Sequence, residues 1–201
     1  MSRIGVFDYG AGNLHSLLKA IEGGGRNISV DTDIRALLSA DILILPGVGA
    51  FGAAASAMRG AQDYVRSALA DGQPCLGVCL GMQMLFDTSE ETPDANQGIG
   101  LIPGRVTRLQ TRKVPHMGWN EIEWVEGGSR LQMVAAYFAN AYVCEPEDVS
   151  PVLAWTTHQN ARFASVVRTA NTVGVQFHPE KSSVSGRSFV NGVIDELLQC
   201  K

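Results

Sequence analysis

Pro74-Cys75-Leu76-Gly77-Val78-Cys79-Leu80-Gly81-Met82-Gln83 is the stretch that decides the fold. Pro74–Val78 is a short, nearly continuous apolar run, as expected of a strand covered on both faces. Gly77 and Gly81 flank Cys79, and a helix is expected to start at Cys79. Glycine on both sides of a potential nucleophile is the pattern of a nucleophile elbow, here with cysteine where such turns often carry serine. A tight turn of this kind holds the side chain in a strained, exposed position. The start of a helix favours the thiolate that attacks, and the N–H of Leu80 points where an oxyanion would form. The same residues also suit a buried cysteine between two packing glycines.

Outward from this segment, the first half of the chain alternates strands with helices. Ile4–Phe7 is an apolar run ending at a Gly10/Gly12 turn. Asn13 can cap a helix whose face is Leu14, Leu17, Leu18 and Ile21, and Gly23-Gly24-Gly25 stops it. Ile28–Val30 is a short strand, Ile34, Leu37 and Leu38 mark a helical turn or two, and 41–45 is a buried strand. Tyr64, Val65, Ala68 and Leu69 suggest a helix ending at Gly72. The second half reads as a polar loop over 87–104, then strand-like runs at 105–110, 121–125, 134–138, 152–156, 163–168 and 172–177. From Ser188, apolar residues recur at helical spacing. The expected fold is α/β, an open and mainly parallel mixed sheet flanked by helices, with residues 1–201 as a single domain.

Composition narrows the function. Hydrophobic residues are 45% of the 201, enough for a proper core, which excludes a disordered chain. With 16 Lys+Arg against 20 Asp+Glu the net charge is −4, the wrong sign for a general nucleic-acid binder. No apolar run reaches the ~20 residues a spanning helix needs, and the N-terminus has no signal-peptide pattern. The expected location is the cytoplasm. Cys75, Cys79, Cys144 and Cys200 match neither a paired zinc-ligand spacing nor a disulfide framework. No metal or cofactor is expected.

Two further segments bear on Cys79. Gln176-Phe177-His178-Pro179-Glu180 ends an apolar strand. Pro179 pushes its neighbour towards extended backbone, where side chains two apart point the same way, so Glu180 can orient the His178 imidazole. A lone His-x-Glu also fits a surface histidine beside a solvated glutamate. Pro46-Gly47-Val48-Gly49-Ala50-Phe51-Gly52 follows a buried strand, at the end where ligands bind in parallel sheets. Its N–H groups can complete an oxyanion hole. It also fits an ordinary strand-to-helix turn, and no Gly-Lys-Ser/Thr follows to make it a phosphate loop.

Pro-Gly-x-Gly, then Gly-x-Cys-x-Gly-x-Gln, then His-Pro-Glu, in this order and at these separations, resembles the class I (triad) glutamine amidotransferases and implies their flavodoxin-like fold. Within them the chain is similar to the glutaminase subunits of imidazole glycerol phosphate synthases. The subfamily cues are Asp8-Tyr9-Gly10-Ala11-Gly12-Asn13, Val114-Pro115-His116-Met117-Gly118-Trp119-Asn120 and Val175-Gln176-Phe177-His178-Pro179-Glu180-Lys181-Ser182, and the likeness runs from about residue 3 onwards. The resemblance implies that Cys79 attacks the side-chain amide of L-glutamine, His178 moves the proton and Glu180 orients His178. It implies that the N–H of Leu80 and one from the Val48–Gly49 turn hold the oxyanion. Gln83 would contact the substrate, and Tyr142 would supply backbone contacts. Ammonia would pass to a (β/α)8-barrel cyclase subunit in a heterodimer, with Asn13, Met117, Trp119, Tyr137 and Lys181 near the interface. The cyclase would then make imidazole glycerol phosphate and aminoimidazole carboxamide ribotide. Trp119 alone also suits a core aromatic.

One block departs from the family pattern. Where Tyr-Phe-Val-His-Ser-Tyr is common, this chain has Tyr137-Phe138-Ala139-Asn140-Ala141-Tyr142. The departure leaves as an alternative the glutaminase subunit of a different or paralogous synthase. A non-catalytic protein with Cys79 as redox sensor is a further reading, against which His178, Glu180 and Gln83 weigh. At 201 residues there is space for a glutaminase core but none for a synthase domain, so a second active site is expected on another chain.

Overall fold

Residues 1–10, 12–95 and 97–199 are described in a computed structural model. Strands and helices alternate through β1 (Arg3–Phe7), α1 (His15–Ile21), β2 (Asn27–Asp31), α2 (Ile34–Leu37), β3 (Ile42–Leu45), α3 (Phe51–Ala57), α4 (Gln62–Ala70), β4 (Cys75–Val78) and α5 (Leu80–Gln83). Strands dominate thereafter: β5 (Phe86–Ser89), β6 (Ile102–Arg108), β7 (His116–Glu121), β8 (Glu123–Trp124), β9 (Ala135–Asn140), β10 (Tyr142–Pro146), β11 (Val152–His158), β12 (Ala161–Thr169) and β13 (Thr172–Val175). They are followed by α6 (Ser183–Gln199).

The main sheet has eight strands in the order β2-β1-β3-β4-β13-β12-β11-β8. From β2 to β13 every neighbouring pair is parallel. The β12, β11 and β8 additions are antiparallel. Alternation along the strands sends side chains to two separate cores. Ile42 and Ile44 join Leu17 and Ile21 of α1 and Val190, Ile194 and Leu197 of α6. Leu43 and Leu45 join Phe51 and Ala54 of α3 and Val65 and Leu69 of α4 on the other face. With both faces covered, the central strands must be apolar throughout, and β3 and β4 are buried at every position.

Several elements differ from the sequence reading. The runs at 105–110 and 134–138 do not join the main sheet. The first belongs to β6, which pairs with β5 and β10 in a three-stranded sheet, and the second to β9, which pairs with β7. An apolar pattern tells which face of a strand is buried, not which sheet it joins. The expected loop at 87–104 holds the end of β5 and the start of β6; β5 is short and polar (Phe-Asp-Thr-Ser), so its pairing leaves no apolar signature. The helix at Cys79 is one short turn, Leu80–Gln83. Asn13 is not the N-cap of α1: Leu14 is, and the Asn13 Oδ1 accepts the His15 N–H at 2.8 Å in a local turn.

The strand order positions the site. β3, β4 and β13 are adjacent and parallel, so the segments leaving their carboxyl ends lie side by side: Pro46–Gly49, Cys79 and Gln176–His178.

Candidate active site

Cys79 sits between β4 and α5 with φ 46° and ψ −101°, a conformation an L-residue adopts only under constraint. The flanking glycines supply the constraint. A Cβ on Gly81 would lie 1.9 Å from the Leu45 carbonyl oxygen, and one on Gly77 would lie 2.6 Å from the Gly81 oxygen. Strand and helix therefore cross closer than any side chain permits. The Cys79 N–H is tied to the Val175 carbonyl at 2.6 Å, which fixes the turn against β13. The strain expected from the sequence is present, but the exposure is not: Cys79 is 6% exposed. The turn is roofed by neighbouring loops, chiefly Pro46–Gly49.

The side chains of His178 and Glu180 are also buried. The His178 Nδ1 meets the Glu180 Oε1 at 2.7 Å, with side chains 3% and 5% exposed. Pro179 does not continue the extended strand; it opens a 3₁₀ turn, Pro179–Lys181, and Glu180 still reaches back to the ring. With Nδ1 engaged, Nε2 is left for the thiol. Burial alone would suppress the imidazolium. The Cys79 charge and hydrogen bond, helped by those of Glu180, overcome it and raise the His178 pKa to about 9. The backbone of His178 is pinned as well: its N–H donates to the Tyr137 carbonyl, and its carbonyl accepts from the Ser182 hydroxyl.

The glycine-rich turn closes on this pair. A Cβ on Gly47 would meet Cys79 Cβ, His178 Cε1 and the Val78 carbonyl oxygen, each at 3.0 Å. Gly49 has φ 101°, and the Val48 side chain fills the space where Gly12 would carry a Cβ, 2.5 Å away. Beyond the turn, the N–H of Phe51 donates to the Glu91 carboxylate at 2.8 Å. Leu80 opens α5, where the first N–H groups have no partner inside the helix. Gln83 is the last residue of α5 and is buried. Its Nε2 donates to the Tyr142 carbonyl at 3.1 Å and to Gln176 Oε1 at 3.4 Å. The Tyr142 carbonyl also accepts from Asn140 Nδ2 at 3.1 Å, so both its lone pairs are used inside the protein.

Thiol, imidazole and carboxylate in a buried line, beside a glycine turn and a fresh helix start, are the parts needed for acyl transfer through a cysteine. The class-I glutamine amidotransferase family profile matches residues 5–193. The chain belongs to that family. Among curated relatives, "Imidazole glycerol phosphate synthase subunit HisH" of Geobacillus thermodenitrificans is 43% identical over 203 residues, covering 95% of this chain and 94% of the relative. The subunit of the same name from Pyrococcus furiosus is 38% identical over 191 residues, covering 92% and 95%. The fold matches a glutamine amidotransferase crystal structure with a TM-score of 0.76 at 21% identity, covering 98% of both chains. It also matches the PurLQS structure from Thermotoga maritima at 0.73 and 18%, covering 98% and 100%.

For an amidotransferase, the remaining residues singled out from the sequence fall into two sets. Met117 and Trp119 on β7 are 57% and 55% exposed, which excludes Trp119 from the core. Tyr137 lies opposite Trp119 on β9, with ring centroids 6.5 Å apart. Asn13 and Lys181 are exposed. Cys75 and Cys144 are free and buried, and burial pushes both thiols up, leaving them inert. Cys200 lies outside the described residues. Among those described, no group of His, Cys, Asp or Glu is placed to hold a metal ion, and no helix is long and apolar enough to cross a membrane.

The sequence reading missed Gln176 and Glu91, and marked Asn140 only as a departure from the family block. For Gln176 a signal existed: it is two residues before His178 at a strand end, so period-2 alternation aims both at Cys79. Glu91 had none, because its placement depends on the 89–92 turn returning to the site, and the block around Asn140 gave no sign that β9 brings its amide to the Tyr142 carbonyl.

Proposed function

We propose that residues 1–201 act as a single glutaminase domain, the glutaminase subunit of an imidazole glycerol phosphate synthase. The observation that carries this reading is the Cys79–His178–Glu180 line at the carboxyl ends of β4 and β13. The Cys79 thiolate attacks the side-chain carboxamide carbon of L-glutamine. The negative charge on oxygen is met by the N–H of Leu80 and an N–H of the Val48–Gly49 turn. The C–N bond breaks, His178 gives its proton to the departing nitrogen, and ammonia leaves a glutamyl thioester. Water then attacks the thioester carbon as His178 takes its proton. The C–S bond breaks, the sulfur keeps the electron pair, and glutamate is released. Glu180 holds the imidazole with Nε2 towards the sulfur throughout. Gln83 contacts the substrate from α5.

Free ammonia in water is protonated and no longer a nucleophile, so the product is useful only if handed over directly. The relatives are named as synthase subunits, and the same arrangement is proposed here: a heterodimer with a (β/α)8-barrel cyclase in the cytoplasm, the complex acting as an ammonia-using lyase. Exposed Met117 and Trp119, with Tyr137, Asn13 and Lys181, form the docking face. Co-expression with the cyclase gives the test. Cys79→Ala should abolish product formation from glutamine and spare it from ammonia. Full glutamine-dependent activity in that variant sinks the mechanism. Asn140 and Ala141, where His and Ser are common, favour a second reading, a subunit of a different or paralogous synthase. Recovery of a non-barrel synthase in a pull-down would select it.

A further inference from the structure

Two side chains from the segment after β13 face the Cys79 sulfur, and the mechanism above uses one of them. The other is Gln176, fully buried, with its Nε2 3.5 Å from Sγ. We propose that Gln176 is a positioning residue that donates a hydrogen bond to the Cys79 sulfur and holds it as the thiolate facing His178. The direction of donation is set by the Tyr142 carbonyl through Gln83. The inference rests on the amidotransferase reading of Cys79.

A backbone carbonyl can only accept, so the Tyr142 oxygen requires that the Gln83 atom 3.1 Å away be its NH₂ nitrogen. The second hydrogen of that group reaches the Gln176 side chain at 3.4 Å, which makes the facing Gln176 atom its oxygen. The Gln176 NH₂ is thereby turned towards Sγ. Flipping the Gln176 amide would set two NH₂ groups against each other and an oxygen against a thiolate. Gln83 and Gln176 are 5% and 0% exposed, so no bulk solvent relieves either repulsion. Gln176 itself is anchored, its main-chain N–H donating to the Ser165 carbonyl at 2.9 Å.

The sulfur is negative as the attacking thiolate and again when the C–S bond of the thioester breaks. It is uncharged in the thioester between. A donor aimed at it therefore favours the charged states, both forming the nucleophile and easing its expulsion.

Gln176→Met keeps length and removes both donor and acceptor. Gln176→Glu keeps shape and, once ionised, turns the donor into an acceptor. The readout is the rate of Cys79 carbamidomethylation by iodoacetamide in the full chain, followed by mass spectrometry between about pH 5 and pH 9. For Gln176→Met we expect about a tenfold slower reaction at neutral pH and a profile midpoint about one pH unit higher, with the melting temperature little changed. Gln176→Glu should lose more at neutral pH. Its rate relative to the parent should return towards unity in acid, where the protonated carboxyl donates as the amide did. A purely structural role would not produce that recovery. Profiles of both variants superimposing on the parent would overturn the proposal, as would failure of both to fold, which would assign Gln176 to the core. Glutamine turnover by the parent complex is measured alongside. No turnover there sinks the amidotransferase reading; turnover with unchanged Gln176 profiles sinks only the positioning role.

Discussion

Gly47→Ala adds one methyl group to the most crowded point of the site. It would stand 3.0 Å from Cys79 Cβ, from His178 Cε1 and from the Val78 carbonyl oxygen at once. Carbon atoms rest at about 3.5–4.0 Å and a carbonyl oxygen somewhat closer, so the neighbours must retreat by a few tenths of an ångström. The Val78 oxygen belongs to a buried strand paired on both sides and gives least. Relief must therefore come from moving Cys79 and His178, the two groups between which the proton passes. Misplacement on this scale costs about 10- to 100-fold in turnover. The added methyl also overpacks the fold by about 1–3 kcal/mol, a fall of roughly 2–12 °C in melting temperature for a chain of this size. The assay is glutamate release by the cyclase complex, with ammonia-driven cyclisation as the control that the complex is intact. A Gly47→Ala complex with kcat within about twofold of the parent would refute the claim that this turn packs against the catalytic pair.

Gly81→Ala is expected to destroy the fold rather than the chemistry, because its Cβ would sit 1.9 Å from the Leu45 oxygen; the check is loss of soluble protein or a destabilisation above about 4 kcal/mol. His116 stacks on Phe138 and His158, and burial, then the nearby His158, lower its pKa from 6.5 to about 4. The unfolded chain thus binds the extra proton first, and the stability from the neutral ring, full above pH 6.5, is lost as pH falls towards 4. His116→Phe should flatten that acid limb in melting curves against pH. Asn120, which also donates to the Thr157 carbonyl, keeps a partner in that variant. Trp119→Ala should leave the melting temperature within a few degrees, since the ring is 55% exposed, and weaken cyclase binding about tenfold or more by calorimetry.

The parallel half of the fold was legible because burial on both faces leaves a trace in every residue: Ile42–Leu45 and Cys75–Val78 have no polar position to confuse the reading. The nucleophile and its base were legible for a related reason. Close crossing admits only glycine beside Cys79, and Pro179 marks the strand end at His178. What escaped depends on distant chain returning. β5, β7 and β10 are short or half-exposed, and nothing local in Phe86–Ser89 or Tyr142–Pro146 says which strand will pair with it. The Gln83–Gln176 contact spans 93 residues and joins two amides that would each pass for ordinary polar side chains. The burial of Cys79 was misjudged because an elbow considered alone has no roof; Gly47 and its neighbours supply one.

The backbone of Cys79 carries a constraint that disappears when the chain unfolds. A conformation of this kind costs about 1–3 kcal/mol in a residue with a Cβ, and glycine would escape it. Glycine at position 79 would in turn give up the packing of one small sulfhydryl and add roughly 0.5–1 kcal/mol of unfolded-state freedom. The gains and losses are of similar size. Cys79→Gly would therefore melt close to the parent while having no nucleophile at all. Thermal screening cannot tell a live copy of this protein from a dead one at the position that matters most, and only a chemical probe of the thiol can.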